Sequence, residues 1–266
     1  MKLTNRFISD LKHYKSYAVY AAKASLKAEV AGSYLNWVWW ILEPICLMFI
    51  YAFIFGVIFD AREQYFTAFI FVGLAAWTFF NHCAKSSVKM VKKKKGILQK
   101  VYVPKFIFIL ANIFINGFKM AISFLIVIGL MIFYRVPLSW NIIWVPFLLL
   151  CLFLITFGVM TILLHFGVYV EDLANVVNIA LRLVFYMTGI MFSIDHRIGE
   201  SHPQLAFLLG KCNPLAYIIT GLRDSLLYQT TPDLKILAIW IVVGLVLSII
   251  GVRTIYKNEN GYIKVV

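Results

Sequence analysis

The sequence predicts an all-α integral membrane protein with six transmembrane helices, and three observations carry that prediction. Of its 266 residues, 62% are hydrophobic and only 14% charged, whereas an average soluble domain carries roughly a quarter charged residues. So little polar surface cannot cover a water-exposed globule of this composition. The apolar residues gather into runs close to the roughly 20 needed to cross a bilayer as helix. The formal net charge of +13 is concentrated between those runs, as the positive-inside rule requires of an oriented membrane chain. That distribution speaks for a membrane surface and against nucleic acid as a partner. A cytosolic enzyme, a disordered chain and a disulfide scaffold are excluded. Cys46, Cys83, Cys151 and Cys212 show no paired spacing.

In chain order, residues 1–30 come first. The first of them, Met1 to Lys15, are polar and charged and lack the apolar stretch of a signal peptide. Phe7, Leu11, Tyr14 and Ala18 recur at i, i+4, i+7 and i+11 opposite Lys2, Arg6, Asp10, Lys12 and Lys15, the pattern of an amphipathic helix lying in the membrane interface. The spans follow at 35–59 (interrupted by Glu43-Pro44), 64–84, 106–133 (interrupted by Lys119), 141–169, 175–193 (containing Arg182) and 236–252. Lysines crowd the segment before the first span and the loop 85–105, while the loop between the first two spans holds Asp60, Arg62 and Glu63. Both termini are therefore expected in the cytoplasm, and residues 195–233 outside. That outer segment contains the short apolar runs Leu205–Leu209 and Pro214–Ile219, which read as re-entrant or interfacial helices. The chain is expected to form one domain over 1–266.

Enzyme chemistry finds no footing here. There is no GxxxxGK[ST] loop for a nucleotide, no HExxH, no GxSxG and no paired Cys/His cluster. Six Asp and six Glu are scattered, and the one adjacent acidic pair, Glu171-Asp172, suits a helix cap in a short turn. No cofactor is expected on this chain. Lys119, near the middle of its span, must face protein or water. It either attracts phosphate groups of a cargo or pairs with Glu43, the only acidic residue of the first span. Asn213-Pro214 reads as a cap and first residue of a short helix.

Six spans, an interfacial first helix, a basic loop after span two and a re-entrant outer connection make a recognisable layout. Its local marks are Gly32-Ser33-Tyr34-Leu35, Trp39-Trp40-Ile41-Leu42-Glu43-Pro44, Gly73-Leu74-Ala75-Ala76-Trp77-Thr78-Phe79-Phe80, Lys100-Val101-Tyr102-Val103-Pro104 and Asn213-Pro214-Leu215 with Arg223-Asp224. In this order they resemble the permease subunits of ABC-2-type polysaccharide exporters, which serve capsule, O-antigen and wall teichoic acid. Two departures are Glu171-Asp172, where such permeases often have Arg-Asp, and Thr188-Gly189-Ile190, where they often have proline.

The resemblance implies a homodimer in the cell membrane, two separate ATP-binding cassette subunits that hold ATP and Mg, and a lipid-linked glycan moved outward among membrane lipids. It places a coupling helix in 85–105. Gly96 is expected to break the incoming helix, Ile97, Leu98, Lys100, Val101, Tyr102 and Val103 to face the ATPase, and Pro104 to restart a helix. It makes the outer region, with Asn213, Pro214, Arg223 and Asp224, a gate. A glycan suggests a path lined by aromatic faces: Trp37, Trp40, Tyr51, Phe55, Trp77, Phe80 and Tyr186, with Lys119 beside them. The bland reading of the tryptophans is the aromatic belt at the membrane surface. Competing functions are an ABC-2 exporter of drugs or small lipids and an integral-membrane glycan-modifying enzyme.

Overall fold

The computed structural model describes residues 3–31, 34–58, 63–199 and 201–265. Gly32-Ser33, Phe59, the Asp60-Ala61-Arg62 part of the first loop, and Lys2 lie outside the described residues. Among the described residues every regular element is helical. In order they are α1 (Leu3–Val30), α2 (Trp39–Tyr51), α3 (Phe66–Val88), α4 (Met90–Lys93), α5 (Lys95–Leu98), α6 (Lys105–Phe133), α7 (Val145–Tyr169), α8 (Leu173–Met187), α9 (Pro203–Gly210), α10 (Pro214–Arg223) and α11 (Leu234–Val265). A short 3-10 turn, Asn36–Val38, leads into α2, and a wider π-type stretch, Ala52–Ile58, extends it.

Among the described residues, five helical stretches are long and apolar enough to cross a membrane: Trp39–Gly56, Phe66–Val88, Lys105–Phe133, Trp140–Tyr169 and Leu234–Tyr262. This is a multi-pass membrane protein. The expected fifth span is shorter than its apolar run. Helix α8 has 15 residues, about 22 Å of helix against a hydrocarbon core of about 30 Å. It ends because Gly189 takes a left-handed backbone with φ of 64°, which only glycine adopts without strain. Helices α9 and α10 are bent by 92° at the break between them. They make a sixth crossing only if the bent pair is counted as one. Pro214 has no amide hydrogen to continue α9, so α10 starts afresh with Asn213 as its cap, the side chain accepting from Leu215 N–H at 3.1 Å.

Helix α3 is the centre of the bundle, buried along most of its length and packed by α6, α7, α8 and α10. The most extensive pairing joins α7 to α11. It rests on small residues: a Cβ at Gly158 would lie 2.7 Å from the Leu247 side chain, and one at Gly244 would lie 2.9 Å from that of Leu154. Lipid tails are as apolar as leucine, so helices in a membrane associate through such close backbone approach.

The stripe of α1 meets its own chain. Ala18 is buried, and Phe7, Leu11 and Tyr14 pack on the core, with the Phe7 ring 4.9 Å from Phe106 and Tyr17 6.1 Å from Phe108. The apolar face expected to lie in lipid is thus taken by α6. Helix α11 also outruns its predicted span. Its final turns continue as helix because Tyr256, Glu259 and Tyr262 pack against α1 and α7. The chain so acquires a lysine-rich end, where 89–105, the start of α1 and the end of α11 meet, and an opposite end holding α9, α10 and the 134–144 connection.

Candidate functional site

Between the end of α1, the start of α2 and the middle of α3 and α6 lies a cavity of about 280 Å³. Trp39, Trp40, Glu43, His82, Asn116, Lys119 and Ser123 contribute to its walls. Lys119 Nζ is 2.5 Å from Glu29 Oε1. The partner of the intramembrane lysine is therefore Glu29 and not Glu43, because α1 leans along α6 and delivers its last carboxylate there. Glu43 stands on another wall of the same cavity. Two carboxylates face one ammonium, so the site as built does not favour a phosphate, whereas acceptors beside tryptophan faces suit a hydroxyl-rich group. Trp40 is held edge-on to Phe118, 5.6 Å between centroids.

Both members of the ion pair are partly exposed, at 25% and 47%, so its value is set by screening. A double-mutant cycle of Lys119→Met and Glu29→Gln, read by thermal unfolding in detergent, is expected to give a coupling energy of about 1 kcal/mol or less. A cycle with Glu43→Gln in place of Glu29→Gln is expected to give a smaller one. The reverse order would return the pairing to Glu43.

The aromatic residues divide. Tyr51, Phe55, Trp77 and Phe80 form one cluster through Phe185 of α8: Tyr51 to Phe185 is 6.5 Å, Trp77 to Phe185 5.4 Å, Trp77 to Phe80 6.2 Å and Tyr51 to Phe55 6.4 Å. Trp77 and Phe80 are buried in α3. Trp37 and Tyr186 are exposed and stand outside the cluster, although Tyr186 touches Phe185 edge-on. Phe185 escaped the sequence reading because nothing distinguishes it from the other phenylalanines until α8 is laid on α3.

In the outer region, Asn213 caps α10 and also donates to Thr188 Oγ1 at 3.3 Å, tying the cap to the end of α8. Arg223 is buried. Its guanidinium donates to Phe69 O (3.1 Å), Gly189 O (3.0 Å) and Ile190 O (2.7 Å) and lies 3.4 Å from the centre of the Phe69 ring. Asp224 opens the π-type turn that follows α10.

At the lysine-rich end the helix breaks fall at Lys89 and Lys94, whose ψ values of 12° and 11° leave helical geometry. Gly96 itself sits inside α5 with open space around it. Ile97, Lys100 and Val101 are exposed, Leu98 and Val103 are turned inward, and α6 begins directly after Pro104. Five residues separate Leu98 from Pro104, too few for a helical face, so the turn itself decides which apolar groups point out. Glu171 pairs with Lys92 at 3.5 Å, and Asp172 occupies the cap position of α8 without a side-chain bond to it, in place of the expected capping by that pair.

Tyr102 is held from inside. Its hydroxyl donates to Glu259 at 2.8 Å and accepts from Arg6 at 2.9 Å, while Arg6 donates to Glu259 at 2.6 Å. Tyr14 donates to the Tyr102 carbonyl at 3.2 Å, and the Arg6 guanidinium lies 4.2 Å from the Tyr256 ring centre. Burial, then the hydrogen bond to Glu259, push the Tyr102 phenol up to about 12, so it remains a protonated donor at neutral pH. The Glu259 hydrogen bond likewise raises Arg6 above its ordinary value. First helix, basic loop and last helix are joined at one node, whose members Arg6 and Glu259 no local pattern marks.

Known proteins give this arrangement its place. Relatives of similar length include the O-antigen export system permease protein RfbA of Klebsiella pneumoniae, 24% identical over 241 residues covering 90% of this chain and 91% of that one. The protein of the same name from Myxococcus xanthus is 25% identical over 244 residues, 91% of this chain and 92% of that one. The model of the ABC-2 type transporter family matches residues 20–227, a stretch that holds the cavity walls of α2, α3 and α6, the aromatic cluster, the basic loop and the buried Arg223. With that match over most of its length, the chain belongs to the ABC-2 type transporter family.

Proposed function

We propose that this chain is the permease subunit of an ATP-driven exporter that moves a lipid-linked cell-surface polysaccharide outward. The observation that carries the proposal is the similarity, over nine-tenths of both chains, to permeases named for O-antigen export. The chain has no phosphate-binding loop of its own, so ATP and Mg belong to separate ATP-binding subunits, two for a homodimer of this chain. The lysine-rich end is the cytoplasmic one, with both termini there in the cytoplasmic membrane. The cavity at the middle of α3 and α6 offers carboxylates and tryptophans to sugar hydroxyls and ring faces, and the Tyr51–Trp77–Phe185 cluster continues an aromatic surface outward. The exposed apolar faces of α2 and α8 beside that cluster are where a second copy would pack.

Removing the chain from its host is expected to strip the polysaccharide from the cell surface while its lipid-linked precursor accumulates on the inner leaflet. Unchanged surface polysaccharide with a new sensitivity to small hydrophobic toxins would favour the drug or small-lipid exporter instead. Docking on the ATPase is tested at the exposed residues of the basic loop. Ile97→Asp and Val101→Asp are expected to leave the permease inserted yet reduce stimulation of the partner's ATP hydrolysis at least tenfold, since a charge would enter an apolar contact. Replacing two of Lys92, Lys93 and Lys95 by Gln is expected to change it less than twofold, because exposed charges contribute little. Equal effects from the two sets would show that the loop is only a membrane anchor. Leu98→Asp is unsuitable for this purpose, because Leu98 is buried and the change would act on folding.

A further inference from the structure

The turn joining α5 to α6 encloses a second, smaller pocket of about 150 Å³, walled by Leu98, Val101, Tyr102 and Val103. Lys105 forms part of it and is only 1% exposed. Its ammonium makes no hydrogen bond or ion pair among the described residues; it lies 5.4 Å from the centre of the Tyr102 ring and interacts only at longer range with Glu259 and Arg6. The carboxylates nearby are engaged elsewhere. Glu259 accepts from Arg6 and Tyr102, and Asp10 accepts from Tyr256 at 2.6 Å and lies 3.8 Å from Arg6 Nε. Lys105 is also the first residue of α6, whose preceding Pro104 supplies no side-chain cap. The positive end of a long helix dipole therefore points the same way as the buried charge.

Glu259 attracts this ammonium from a distance but already accepts from Arg6 and Tyr102, and a buried ammonium without a direct ion pair is costly, so a concave pocket that keeps one is a place for an anion. We propose that this pocket is a socket for a carboxylate side chain of the ATP-binding subunit. The inference rests on the proposal that the basic loop docks on that subunit. Two observations favour a protein carboxylate over a lipid phosphate. The rim exposes Val101 and the edge of Tyr102, apolar groups that call for a protein surface. Of the loop's exposed lysines only Lys100 borders the pocket, whereas Lys92, Lys93 and Lys95 lie apart from it on α4 and α5.

The test uses full-length permease in nanodiscs and its purified ATP-binding partner, with affinity and ATP hydrolysis measured at low and high salt. Lys105→Met keeps length and apolar bulk, so the free permease should melt no lower than the unaltered protein. Its affinity for the partner should fall roughly 30-fold, and the salt dependence of binding should flatten. Lys105→Glu should abolish binding, and one Asp→Lys or Glu→Lys change in the partner's groove should restore it. A free permease destabilised by Lys105→Met would show the ammonium holding the fold, and the proposal would fall. Unchanged affinity would also overturn it, and if Ile97→Asp still blocked docking the loop assignment would stand. If anionic lipid stabilises the unaltered permease but not Lys105→Met, while partner affinity is equal, the occupant is a headgroup phosphate and the carboxylate is wrong.

Discussion

Arg223→Met is expected to lower stability by roughly 3–5 kcal/mol, the largest single effect in this chain. The guanidinium is the donor for carbonyls from two distant parts of the sequence, Phe69 in the first turn of α3 and Gly189 and Ile190 after α8. A buried carbonyl left without a donor, as those of Gly189 and Ile190 beyond α8 would be, costs about 1–3 kcal/mol, while Phe69 O keeps its bond within α3. The methionine fills most of the same space, so the loss reports the hydrogen bonds and the stacking on Phe69 rather than a cavity. Lysine is expected to recover only part, because a point charge cannot reach three carbonyls in a fork. The space is equally specific: a Cβ on Gly73 would lie 2.7 Å from Arg223 Nη2, so Gly73→Val should act in the same direction. Thermal unfolding of the detergent-solubilised protein is the measurement. A melting temperature for Arg223→Met within a degree or two of the unaltered protein would refute the claim that this side chain fastens α10 to α3 and α8.

The second large effect is expected where α7 and α11 meet. A Cβ at Gly251 would fall 1.8 Å from Thr161 Oγ1 and 2.6 Å from Thr161 Cβ, a position no side chain can share. Ser248 adds a hydrogen bond across the pair, its hydroxyl 3.1 Å from Leu154 O as well as 2.7 Å from Gly244 O in its own helix. Gly251→Leu or Gly158→Leu must therefore separate the two helices along their main contact. The expected cost is about 3 kcal/mol or more, at the upper end for overpacking because backbone must move. Gly129→Ala, where nothing lies within 4 Å, is the control and should be nearly neutral. Tryptic cleavage in membranes, compared among these variants, reads the separation directly. Equal resistance of Gly251→Leu and Gly129→Ala would mean that α7 and α11 do not depend on close approach.

Some features were legible because their causes are local. Pro214 cannot extend a preceding helix and Asn213 can accept from the amide two residues on, so that helix start is visible in two adjacent letters. Apolar runs locate long helices because length and hydropathy are properties of the run itself. The length of α8 was not legible in that way, since the residues after Met187 are as apolar as those before and only the left-handed Gly189 ends the helix. The exposed and buried members of 97–103 were equally mixed in the sequence, because a turn has no period from which to read a face.

Sequence alone determined that this is an all-helical, multi-pass membrane protein of the ABC-2 layout, and which end of it carries the lysines. Tertiary structure alone decided that Lys119 meets Glu29, that Arg223 fastens three elements, that Phe185 joins Trp77 to Tyr51, and that Arg6, Tyr102 and Glu259 form one node. The reason is physical. In a water-soluble helix the polar face tells inside from outside, but a helix bathed in lipid is apolar all round. Its packing partners are then chosen by shape and by a few polar groups whose mates lie as far as 253 residues away.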